Sequence, residues 1–144
     1  MAANIDPIYS KAGDVSKDAG TGMNQLLTAA ANDYTGIGAN NSLVFTADPT
    51  NGSFLQRLRL KAGGTNVASV LRVFLNNGSV NTTAANNTFY GEISLPATTI
   101  IATAATIELD YPIGFVIPAG FRIYVGLGTA VAAGWVVTPI AGKY

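Results

Sequence analysis

Carboxylates are the side chains in this sequence best suited to acid–base chemistry. Glu108 and Asp110 stand two apart in the run Thr106–Tyr111, whose alternation predicts a strand, so both project from one face. Glu92 falls on a nearby predicted strand. Two carboxylates can flank a glycosidic bond, one as the acid and the other as base or nucleophile, or gather an oxygen-seeking cation such as calcium. The same residues also read as the solvated face of a strand, paired with arginines. A calcium loop alternates Asp and Asn around a glycine, and Asn76-Asn77-Gly78 supplies only fragments of that pattern. The chain has no histidine and no cysteine. Thiolate or imidazole zinc sites are therefore excluded, as are Ser-His-Asp and Cys-His nucleophile arrangements. No catalytic, cofactor-binding or metal-ligating set is expected.

A basic set stands out instead. Arg57, Arg59 and Lys61 share one face of a predicted strand, and the strand carrying Arg72 is expected to pair with it. These four form a candidate docking patch for an acidic partner surface. The competing reading is a row of outward charges that keeps a sheet edge from pairing. Gly36-Ile37-Gly38 lacks the third glycine of a dinucleotide fingerprint, and no Gly-Lys-Ser/Thr occurs, so phosphate loops are not supported. Trp135, Tyr124 and Tyr90 would suit a sugar-stacking platform, or equally a sandwich core or a subunit interface.

The elements that must position these groups are short strands. Residues 1–20 read as an extended N-terminal arm, punctuated by Pro7, Gly13 and Gly20, and residues 21–144 as a single β-sandwich domain. Met23–Tyr34 is ambiguous between a short helix and an extended segment; extension is expected because everything after it reads as sheet. Ser42–Thr46, Phe54–Lys61, Val67–Asn76, Phe89–Leu95, Thr106–Tyr111, Phe121–Leu127 and Trp135–Ile140 are predicted strands. In Phe54–Lys61 the alternation groups Leu58 and Leu60 with Phe54 and Gln56, and Leu55 with the cations. Asn77-Gly78 signals a tight hairpin, and Pro112 is expected to close the strand before it. Strands at about ten-residue spacing without a crossover helix predict an all-β, antiparallel, jelly-roll-like sandwich, with a small barrel as competitor.

Composition narrows the function classes. Charged residues make up 11% of 144, under half the usual share. The eight basic and eight acidic residues cancel. A chain of low charge density and zero net charge tends to associate, whereas a nucleic-acid binder needs a basic excess. The charge is unevenly spread: residues 1–50 carry net −3 and the remainder +3. Neither a secretory signal nor an apolar run near the ~20 residues of a membrane span is visible. The expectation is a soluble protein made in the cytoplasm, with no membrane or nucleic-acid partner.

Three stretches carry a resemblance. Gly64-Thr-Asn-Val-Ala-Ser-Val-Leu-Arg-Val-Phe-Leu-Asn-Asn-Gly78, Leu95-Pro-Ala-Thr-Thr99 and Ile117-Pro-Ala-Gly-Phe-Arg-Ile-Tyr-Val-Gly-Leu-Gly-Thr-Ala-Val-Ala-Ala-Gly-Trp135 resemble small virion proteins of tailed bacteriophages that serve as head decoration, or cement, proteins. The likeness spans roughly residues 25–140 and rests on strand-and-turn patterns; the arm departs from it. It implies a jelly-roll-like sandwich on the outer capsid surface of the virion, bridging subunits of the major capsid protein, as a homo-oligomeric dimer or trimer. It brings no catalytic residues. The alternative from another class is a carbohydrate- or receptor-binding module of a tail fibre or base plate; a third is a hydrolase working through Glu108 and Asp110.

Overall fold

The computed structural model describes residues 10–18, 20–23 and 25–144. Among the described residues nine strands run in chain order: β1 (Ala12–Asp14), β2 (Gln25–Leu27), β3 (Ser42–Thr46), β4 (Ser53–Ala62), β5 (Ser69–Asn76), β6 (Asn87–Leu95), β7 (Glu108–Ile117), β8 (Arg122–Leu127) and β9 (Trp135–Lys143). One sheet has the order β1-β9-β4-β7, with β2 also on β9, and the other β3-β8-β5-β6. All strand pairings are antiparallel. From β3 onward the chain passes repeatedly between the two sheets, which is the winding of a jelly roll. Two packed sheets, not a closed barrel, bury the apolar alternation: Leu58, Leu60, Leu71, Val73, Ile123, Val125, Trp135 and Val137 are inaccessible to solvent.

Residues 1–9 and Ala19 of the expected arm lie outside the described residues. Within its remainder, β1 pairs with the end of β9, Ala12 opposite Lys143. The ambiguous stretch is extended and contains β2, which pairs with the start of β9, Leu27 opposite Trp135. β1 and β2 thus lie end to end and share one edge position.

Two prolines sit inside strands, against the expectation that Pro112 ends one. The peptide direction explains both. Ala62 N–H donates to the Ile107 carbonyl, so odd-numbered residues at the start of β7 face β4 and Pro112 turns to the free edge, where a missing N–H breaks no ladder bond. Lys11 N–H donates to the Lys143 carbonyl and Gly63 N–H to the Gly134 carbonyl. Odd residues of β9 therefore face the β1/β2 edge, and Pro139 falls opposite the gap between those two strands.

Two further expectations need correction. The register of β4 shifts between Leu55 and Arg57 against both neighbours. This bulge at Gln56 resets the alternation, so Leu55 joins Leu58 and Leu60 in the core while Phe54 joins the cations outside. Asn77-Gly78 does not form a two-residue hairpin either. Asn76 pairs with Asn87 across a ten-residue connection, 77–86. Asparagine side chains tie it together: Asn77 Nδ2 donates to Asn86 Oδ1, Asn86 Nδ2 to the Val80 carbonyl and Asn87 Nδ2 to the Asn81 carbonyl. Side-chain bonds to the backbone here outcompete the local turn preference.

Candidate functional site

The outer face of the first sheet holds both the carboxylates and three of the basic residues. Arg59 lies opposite Asp110 and Lys61 opposite Glu108 in the β4–β7 register. Two ion pairs run diagonally between the strands, Arg57 Nε to Asp110 at 3.1 Å and Arg59 Nη2 to Glu108 at 2.7 Å, and one runs directly across, Lys61 Nζ to Glu108 at 3.8 Å. The hydrogen bond and charge of Arg59 hold Glu108 below the usual carboxylate range, and Glu108 in return raises Arg59. A carboxylate kept ionised in this way is a poor general acid at neutral pH. Among the described residues, no group of three or more His, Cys, Asp or Glu side chains is placed to hold a metal.

Arg72 is not part of that face. Its strand β5 pairs with β6 and β8 in the second sheet, which corrects the expectation that it pairs with the strand of Arg57. It is 8% exposed. Its guanidinium lies 4.0 Å from the centre of the Tyr34 ring, donates to Tyr34 Oη and Asn32 Oδ1, and pairs with Glu92 at 3.5 Å. Arg72 thereby pins the 28–41 connection against the outside of the second sheet. Phe89 packs against the buried ring of Phe74 there, and Tyr34 packs edge-on against Phe89.

The three aromatics proposed as a platform are dispersed. Trp135 is buried in the core between the sheets. Tyr124 lies on β8, and Tyr90 on β6 packs against Tyr111 and Phe115 of β7 at ring separations of 6.2 and 5.7 Å. One cavity of about 370 Å³ lies between Leu75, Asn86, Phe115, Ile117 and Phe121, and another of about 230 Å³ between Leu26, Thr28, Ala39 and Asn40. Neither is lined by an ionisable side chain, so neither offers a proton donor or acceptor of shifted pKa for catalysis.

The most distinctive surface lies elsewhere. The strand directions bring the connections 63–68, 96–107 and 128–134 to one end of the sandwich, where they adjoin both ends of the 28–41 connection. None of the three contains a charged residue. They are fastened together by polar side chains, of which Asn66 and Thr98 are buried. Asn66 Oδ1 accepts the N–H groups of Ala133 and Gly134 at 2.8 and 2.9 Å, and its Nδ2 donates to the Gly134 carbonyl at 2.9 Å. Thr98 Oγ1 donates to the Gly64 carbonyl at 2.6 Å and accepts from Asn66 N–H. Thr65 Oγ1 accepts Ile100 N–H, and Thr106 Oγ1 donates to the Ala62 carbonyl. A turn closed by pairing of Ile101 with Ala104 forms the tip.

On this fixed base, apolar side chains point outward: Val67 is 59% exposed, Ile100 59% and Ile101 54%. Large exposed apolar groups on well-anchored loops mark interaction surfaces. Because the loops are already ordered, little conformational entropy is lost when a partner covers them. In the sequence the cations stand out as docking candidates and these apolar residues do not. A signal for them exists, since Pro96–Ile107 is a twelve-residue run without a charge, but only the fold sets it beside the other two loops. No family model, curated protein or solved structure matches the chain.

Proposed function

We propose that the protein is a structural virion subunit, a head decoration (cement) protein of a tailed bacteriophage that adheres to the outer capsid surface and bridges major capsid subunits. The observation that carries this reading is the set of three charge-free loops at one end, with Val67, Ile100 and Ile101 exposed on hydrogen-bonded backbone. The jelly-roll fold and the resemblance in the sequence support it. The partner surface is apolar and uncharged, complementary to the loop tips. Binding only the assembled shell stabilises that state by mass action, so disassembly must also break the decoration contacts. The docking contact is placed at the loop end and not at the basic face, because Glu108 and Asp110 beside Arg57, Arg59 and Lys61 offset most of the positive charge that an acidic partner would need.

Rebinding to particles stripped of this protein tests the reading. Ile100→Asp with Ile101→Asp places two charges on the contact and is expected to abolish occupancy and its gain in particle heat resistance. The variant's own melting temperature should stay unchanged, because both side chains are exposed. Binding of the wild type should persist at about 1 M salt, where exposed charges are screened within about 3 Å. Normal occupancy of the double variant would overturn the assignment of the loop end.

A further inference from the structure

The outer face of the first sheet carries a pattern that selects its own copy as a partner. Directly opposed residues of an antiparallel pair project from the same side, so the register arranges this face in rows: Lys61 beside Glu108, Arg59 beside Asp110, Arg57 beside Pro112, and Phe54 beside Val116. Read along the strands, β4 is a basic column ending in an aromatic ring, and β7 is an acidic column ending in an aliphatic one. The side chains are available: Arg59, Lys61, Glu108 and Asp110 are between 41% and 55% exposed, and Val116 is 48% exposed.

We propose that this face is the interface of a two-fold homodimer, with the axis parallel to the strands and running between β4 and β7. Rotation about that axis lays the β4 column of each copy over the β7 column of the other. Lys61 then meets Glu108 of the second copy, Arg59 meets Asp110, and Phe54 meets Val116, each contact occurring twice, as a self-complementary two-fold interface requires. The charges also fix the orientation. A two-fold axis in the same plane but perpendicular to the strands would set β4 over β4 and β7 over β7, opposing like charges. Existing ion pairs within each chain do not saturate these groups. A guanidinium has five N–H donors and a carboxylate accepts about four hydrogen bonds, so each can serve a neighbour on the facing sheet.

The arrangement has a consequence for the loop end. An axis parallel to the strands leaves both copies pointing the same way, so the two loop ends of a dimer face one side together. A dimer of this kind would engage any surface bivalently, with effective concentration set by the rigid spacing of its two tips. The dimer itself is independent of the capsid reading, and its test uses the purified protein alone.

Sedimentation equilibrium is the experiment. The wild type is expected to show a concentration-dependent twofold rise in mass at low salt that is lost near 1 M salt, where the Debye length is about 3 Å. Arg59→Glu with Lys61→Glu makes both columns acidic; Glu108→Lys with Asp110→Lys makes both basic. Each variant alone should be monomeric, and their equimolar mixture should regain the twofold mass. Circular dichroism confirms folding, and if a reversal unfolds the chain, Arg59→Gln with Lys61→Gln gives the same loss of self-association. Because the chain has no cysteine, single Phe54→Cys and Val116→Cys proteins report the register. Mixed, they should form a disulfide-linked dimer far more readily than either alone. A monomeric wild type at all concentrations, reversal variants that dimerise unaided, or a mixture without the Phe54–Val116 cross-link would overturn the proposal.

Discussion

Asn66 is the side chain on which the loop end depends, and replacing it by Ala tests that dependence quantitatively. Its Oδ1 is the acceptor for Ala133 N–H and Gly134 N–H. The Gly134 carbonyl, by contrast, keeps the Gly63 N–H at 2.9 Å when Asn66 Nδ2 is removed. The substitution therefore orphans two donors, of which that of Gly134 is fully buried and that of Ala133 partly so. One buried unsatisfied donor costs about 1–3 kcal/mol and the wetter one less, so the expected loss is about 2–4 kcal/mol. With a urea slope near 2 kcal/mol per molar, the midpoint should fall by about 1–2 M with the slope unchanged. Asn66→Asp keeps the Oδ1 acceptor for both N–H groups but turns a carboxylate oxygen toward the Gly134 and Gly64 carbonyls, so it should recover little of the loss. Amide exchange at Ala133 and Gly134 should accelerate in the Ala variant and far less at β5. A stability change under about 0.5 kcal/mol, or unchanged protection of those two amides, would refute the view that Asn66 fastens the loops.

Other expectations follow from the same geometry. Phe74→Ala should cost about 3–5 kcal/mol in urea unfolding although Phe74 lies outside the main core, because its side chain is fully buried with Phe89 packed against it. Tyr34→Ala should remove the edge contact with Phe89 and the seat of Arg72 and speed proteolysis within residues 31–40; unchanged cleavage would mean that Arg72 does not hold this segment through the Tyr34 ring. Acid sensitivity has a defined sign. At Asp33, burial alone raises the pKa, but hydrogen bonds from the Asn41 side chain, the Thr35 and Gly36 N–H groups and the Thr35 hydroxyl outweigh it and lower the value. The N–H groups of Asn51 and Thr50 lower Asp48, and Arg59 lowers Glu108. The unfolded chain then takes up protons more readily than the folded one. Stability is full above the ordinary carboxylate pKa of about 4 and declines as pH falls through the depressed values. Melting temperatures measured from pH 7 to 2 should show this decline, and Asp33→Asn should lessen it; an identical profile would remove Asp33 as a contributor.

The fold class was legible because it rests on local chemistry. Period-two alternation in Arg122–Leu127 and Glu108–Tyr111, and turn residues such as Asp48-Pro49-Thr50-Asn51-Gly52, specify strands and their ends without reference to distant neighbours. The absence of cysteine and histidine likewise fixed which chemistries were excluded. What stayed hidden depends on contacts between residues far apart in the chain. The bulge at Gln56 depends on the registers of two neighbouring strands, and it decides that Leu55 is core and Phe54 surface. Pro112 and Pro139 are tolerated only because one peptide faces a free edge and the other a gap. Arg72 reads in sequence like Arg57, yet the winding of the jelly roll sends their strands to opposite sheets. The loop end is the clearest case. Three uncharged segments separated by 27 and 20 residues are unremarkable one at a time. They become a surface only when strand direction gathers them and Asn66 and Thr98 bind them together. Side-chain period is a local property that one chain segment carries by itself, whereas which loops share an end is set by the order in which strands pair.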